Sequence, residues 1–181
     1  MKRLVVVALL ASCLALPAQQ TRRVVSHPSN PATDDRPNSP SVPDVFAVSG
    51  HLERIVVLRF KFGADLLAGL QKMIAQEHIK NAVILSAFGS VRGYQVHQVA
   101  NRDYPIKESF VQDPTAPADI IGMSGMVMNG RVHPHITLAN GDKAFGGHLE
   151  PETTVFTFAV VTLGVLDDSM DMSRFDDASY R

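Results

Sequence analysis

Residues 120–149 read IIGMSGMVMNGRVHPHITLANGDKAFGGHL, and this stretch decides the fold. Three apolar runs are separated by two Asn-Gly pairs, Asn129-Gly130 and Asn140-Gly141. Asn-Gly between strands is the strongest short hairpin signal, because type I′ turns need φ > 0 at both central positions. The spacing predicts strands over 120–128, 131–139 and 143–149. With two-residue loops at both turns, counting sets the register. Ala139 then faces Asp142, Thr137 faces Ala144, His135 faces Gly146 and His133 faces His148. Ser124 falls beside His135 from the preceding strand.

Partners across a ladder share a face, as do alternate residues along a strand. Met123, Val127, Val132, Ile136, Leu138, Phe145 and Leu149 therefore share the apolar, core-facing side. His133, His135 and His148 share the other side with Ser124, Arg131, Thr137, Gly146 and Glu150. Directly opposed Cβ atoms lie about 4.5–5.5 Å apart. Three imidazoles so placed can reach one ion at about 2.0–2.1 Å and leave a fourth position open, the pattern of a catalytic zinc site. The plain alternative is a set of polar residues on a solvated or subunit-facing surface. Glu150 is the weaker candidate for a general base beside the metal. Its simpler role is a cross-strand ion pair with Arg131.

Working outward, the chain reads as α+β, with about seven mainly antiparallel strands and one packed helix. Predicted strands cover 51–60, 82–86, 94–99, 106–112 and 153–163. Residues 88–93 read as a glycine-punctuated turn or bulge. The helix is predicted over 65–78, with Asp65 as N-cap and Leu66, Leu70, Met73 and Ile74 on its apolar face. His78 suits the negative end of the helix dipole. His51 and His97 have no comparable partner in sequence and read as structural, and His27 reads as incidental.

The N-terminus, MKRLVVVALLASCLALPAQQ, pairs a basic start with an apolar run too short to span a bilayer. It predicts a signal peptide over 1–18 and an exported, periplasmic or extracellular protein. Leu10–Cys13 (LASC) also fits a lipoprotein box, with Cys13 as the lipidated residue and the one route to a membrane. Cys13 is the single cysteine, so no internal disulfide or cysteine metal site is available. Residues 19–43 are rich in Pro, Ser, Thr and Asn and read as a flexible or extended linker. The folded domain then spans 44–166. Residues 167–181 form an acidic, mobile tail, with Met170–Phe175 able to add an edge segment. Setting aside Lys2 and Arg3, 15 basic residues stand against 18 acidic ones, a net of −3. Nucleic-acid binders carry the opposite balance.

Residues 62–97 (FGADLLAGLQKMIAQEHIKNAVILSAFGSVRGYQVH) and 122–161 (GMSGMVMNGRVHPHITLANGDKAFGGHLEPETTVFTFAVV) resemble the PPC domain, also called DUF296. The resemblance covers about 46–166, and its most specific element is the HxH strand followed by GGHL. It implies an antiparallel sheet with a packed helix, a homotrimer, and a three-histidine metal site at His133, His135 and His148. Prokaryotic members stand alone, whereas plant members carry AT-hooks. This chain has no Arg-Gly-Arg-Pro core, which joins charge and export against nucleic acid. More distant relatives of similar fold include zinc-dependent acetolactate decarboxylases, a fold-level analogy only. The expectation is an exported domain binding zinc or another divalent metal, with hydrolase or lyase chemistry on a small molecule. The alternative is a non-catalytic trimeric scaffold.

Overall fold

The computed structural model describes residues 19–27 and 30–181. The proposed signal peptide and Cys13 lie outside the described residues. Among those described, no helix is long and apolar enough to cross a membrane. The elements run β1 (Thr21–Ser26), α1 (Pro31–Asp34), β2 (Leu52–Lys61), α2 (Leu66–Gln76), β3 (Asn81–Val99), β4 (Lys107–Asp113), β5 (Ala118–Met128), β6 (Arg131–Ala139), β7 (Ala144–Leu149) and β8 (Thr154–Leu166).

The fold is a mainly antiparallel sheet with one helix of substance, as predicted, but it has eight strands rather than about seven. The addition is β1, inside the stretch read as a linker, where TRRVVS pairs antiparallel with β4. A second difference concerns 82–99, predicted as two strands around a turn. They form one strand of 19 residues. Glycines absorb the irregularity as bulges without ending the strand, and register shifts fall between Ile84/Ser86, Gly89/Val91 and Val91/Gly93.

β3 organises the sheet. Its first part lies between β5 and β8, and its last part between β4 and β7. The order β1-β4-β3-β5-β6-β7 closes on itself because β7 returns to β3. Among the described strands, β2 pairs with β8 alone.

The core fills the apolar side read from the sequence. Val127, Leu138 and Leu149 are fully buried, with Ile136 and Met123 nearly so, and Val132 and Phe145 pack against them. Helix α2 closes this core with Leu66, Leu67, Leu70 and Ile74. Its N-cap is Asp65, whose Oδ1 accepts from Ala68 N at 2.8 Å. The other carboxylate oxygen accepts from Glu152 N at 2.6 Å, tying the helix to the β7–β8 turn. His78 ends the helix in a left-handed conformation, φ 53°, and Ile79 N donates back to Ile74 O at 2.9 Å.

The two Asn-Gly turns behave differently. Asn129 and Gly130 have φ of 51° and 78°, and the flanking register is the predicted one, with Ser124 opposite His135. The second turn is centred one residue later, on Gly141-Asp142. Asn140 Oδ1 accepts from Asp142 N and Lys143 N, both at 3.0 Å, and Asn140 N donates to Lys143 O. The side chain of Asn140 thus closes the turn instead of occupying its tip. The ladder moves by two residues. His135 faces His148, Thr137 faces Gly146 and Ala139 faces Ala144. A shift of two preserves which residues face the core.

The tail packs back on the domain, although 170–175 adds no strand. Met172 is almost fully buried, as is most of Met170, and Asn81 Nδ2 donates to Met170 O at 3.0 Å.

Candidate metal centre

Five strands contribute to one transverse row: Ser124, His135, His148, His97 and Phe110. His148 sits at its centre, opposite His135 on β6 and opposite His97 on β3. Two glycines make this possible. A Cβ on Gly146 would lie 2.1 Å from Ile136 O, and one on Gly147 would lie 2.2 Å from His97 O. Only a backbone without side chains fits between β6 and β3 here, so the GGH sequence is what inserts His148 into the row. Gly146 faces Thr137 and is not the neighbour of His135 that the predicted register made it.

His133, His135 and His148 come together. The Nε2 atoms of His133 and His135 are 3.2 Å apart. Two nitrogens at 2.0–2.1 Å from a tetrahedral ion would be separated by about 3.3–3.4 Å. The His148 ring centroid lies 4.9 Å from that of His133 and 5.6 Å from that of His135, edge-on to both.

Two carboxylates stand behind these rings. His133 Nδ1 meets Asp176 Oδ1 at 2.8 Å, and His148 Nδ1 meets Glu150 Oε1 at 2.9 Å. A carboxylate on Nδ1 fixes the tautomer and leaves Nε2 for an ion. Glu150 does not reach Arg131 as expected. Arg131 bonds Asp176 instead, and Glu150 Oε1 meets His97 Nδ1 at 2.6 Å. His97, read as structural, therefore belongs to the site, stacked on His148 with centroids 4.6 Å apart. Beyond it, Glu108 lies 3.6 Å from His97 Nε2 and 3.2 Å from His27 Nε2. His51 stands apart, 3.4 Å from Asp167.

Among the described residues, the one group of three that brings a potential ligand atom each within 4.8 Å of the others is His97, His148 and Glu150, which leaves out His133 and His135. The 2.6 and 2.9 Å separations within that group are hydrogen-bond lengths, shorter than the edge between two ligands of one ion. The distances thus favour the His133–His135 pair as ligands and the Glu150 contacts as hydrogen bonds.

Electrostatics agrees with neutral imidazoles at His135 and His148. Burial pushes the His135 pKa down, and His133, His148 and His97 push it further. Burial also lowers that of His148, against an opposing pull from Glu150. The neutral form is the ligand form. For Asp176 burial is the largest influence and raises the pKa. Arg131 and His133 together outweigh it, so the carboxyl is held below its usual range.

Residues 47–167 match the Plants and Prokaryotes Conserved (PCC) domain. The chain is similar to a bifunctional GlmU protein of Synechococcus sp. (strain JA-3-3Ab), 28% identical over 120 residues, 65% of this chain. It spans only 18% of that protein's length. Among solved structures, a metal-containing protein of Archaeoglobus fulgidus superposes with a TM-score of 0.57 at 23% identity, covering 71% of this chain and 89% of that one. A plant- and prokaryote-conserved (PPC) protein of Pyrococcus horikoshii gives 0.52 at 21% identity, covering 71% and 86%.

Proposed function

We propose that this chain, which belongs to the PCC family, is an exported, trimeric metal-binding domain that holds a divalent ion, zinc first among candidates, on His133, His135 and His148. The observation that carries this reading is the approach of the His133 and His135 Nε2 atoms to 3.2 Å, with a carboxylate behind two of the three rings. The similar fold of a metal-containing archaeal protein supports it.

The donor set is three neutral nitrogens, which suits zinc and leaves room for one more ligand. An ion so held supplies Lewis acidity toward a small oxygen-bearing molecule, the basis of hydrolase or lyase chemistry. The residues of the chain orient the ligands. Asp176 and Arg131 fix His133, and Glu150 and His97 fix His148. Glu150, already engaged by two imidazoles, fits this orienting role better than that of a general base.

The trimer rests on a different observation. Ile55, Val57, Leu85, Phe88, Phe156 and Phe158 expose large apolar side chains on β2, β3 and β8. Such a patch suits association, and this also supports the second reading, a trimeric scaffold without turnover.

The test is elemental analysis of protein purified without a histidine tag. We expect one zinc equivalent per chain, and its loss in His133→Ala, His135→Ala and His148→Ala. Retention of full metal in any two of these variants would refute the site. A substrate panel with no zinc-dependent turnover would leave the scaffold reading in place.

A further inference from the structure

The carboxylate behind His133 does not come from the conserved domain, which ends at residue 167. It comes from the tail, and the tail is held from the other end of the chain. Phe175 and Tyr180 both pack edge-on against Phe46, with centroids 4.9 and 5.7 Å apart. Ser39 N donates to Arg181 O at 3.0 Å, Arg181 Nη2 to Asp34 O at 2.8 Å, and Arg36 Nη2 to Ser179 O at 3.3 Å. Phe46, Ser39, Arg36 and Asp34 all precede the domain match, which begins at 47. The segments before and after the domain therefore clasp one another, and Asp176 sits inside the clasp between Arg131 and His133.

We propose that this clasp is a strap over the metal centre: Asp176 is a positioning residue for His133, and docking of residues 174–181 governs how long the ion is retained. The proposal rests on the reading of His133 as a ligand. Its side chain is 39% exposed, at the open margin of the site, so packing alone does not fix the ring. Asp176 does, by engaging Nδ1 and turning Nε2 toward His135. Glu150 does the same for His148 from within the domain. One carboxylate is built into the domain and the other is delivered by a segment outside it. If the ion needs an oriented His133, ion binding and strap docking must favour each other by the same factor.

The experiment times zinc release from the full chain into a chromophoric chelator. The variants are Asp176→Ala, Phe46→Ala, which loosens the clasp without touching the site, and deletion of 174–181, which keeps Met170 and Met172. We expect each to release zinc roughly 10–100-fold faster, the usual effect of losing a partner behind a metal ligand. Asp176→Ala should also alter the absorption bands of the Co²⁺ form, and zinc should slow proteolysis of the wild-type tail. Equal release rates with an unchanged Co²⁺ spectrum would overturn the strap while leaving the metal site standing. Faster release in Asp176→Ala with no change in Phe46→Ala would reduce Asp176 to a local hydrogen bond and also overturn it. A wild-type chain that binds no zinc would overturn the underlying ligand reading instead.

Discussion

Gly147 shows how closely the site is tied to backbone packing. Its α-hydrogen faces His97 O, where a methyl group would sit 2.2 Å away. Gly147→Ala must push β7 off β3, and with it separate His148 from His97. The expected cost is about 1–3 kcal/mol, typical of overpacking. Urea denaturation would measure it, and zinc stoichiometry should fall in parallel. That His133, His135 and His148 share a face was legible in the sequence because face sharing depends only on local alternation. His97 was not. Its partner Glu150 lies 53 residues away and reaches it through a β3–β7 pairing that no local pattern announces. Asp176 was hidden for the same reason, being 43 residues from His133 in a segment whose composition resembles a loose tail.

At the level of elements, the two Asn-Gly pairs separate what a dipeptide can and cannot predict. Gly130 has φ 78°, so Gly130→Ala should cost about 1–2 kcal/mol. Gly141 is not in the left-handed region and has open space around its Cα, so Gly141→Ala should change stability by no more than about 0.5 kcal/mol. Thermal melts of the two variants would distinguish them. The sequence located both hairpins, but Asn140's side chain chose the second register. The tail repeats another local device. Asp167, Asp171 and Asp177 each accept from a serine two residues on, Ser169, Ser173 and Ser179. The hydroxyl of each serine first, and its backbone N–H as well, hold all three carboxyls below their usual range. A depressed folded pKa means the unfolded chain binds more protons, so the stability gained is complete above about pH 4 and lost as pH falls below it. Proteolysis of the tail should accelerate as pH falls below about 4. Equal tail cleavage at pH 6 and pH 3 would count against this account.

For the whole molecule, the fold class was readable because strand alternation and a single capped helix leave few architectures. β1 was not, because its pairing with β4 is made by an exposed segment inside a stretch rich in proline and serine. The apolar face of β2, β3 and β8 belongs to this scale too. Val57 is 63% exposed, so Val57→Lys should cost the fold little yet shift a trimer toward monomer in sedimentation. An unchanged sedimentation coefficient would remove that face from the interface. Finally, β3 is flanked on both sides around residues 82–83, 89–91 and 96–97 by strands that follow it in the chain, the last being β8. It cannot complete its hydrogen bonds until nearly the whole domain has been synthesised. The domain should therefore fold slowly and as one cooperative unit, with the amides of residues 82–83 and 89–91 exchanging with solvent only when the entire sheet opens.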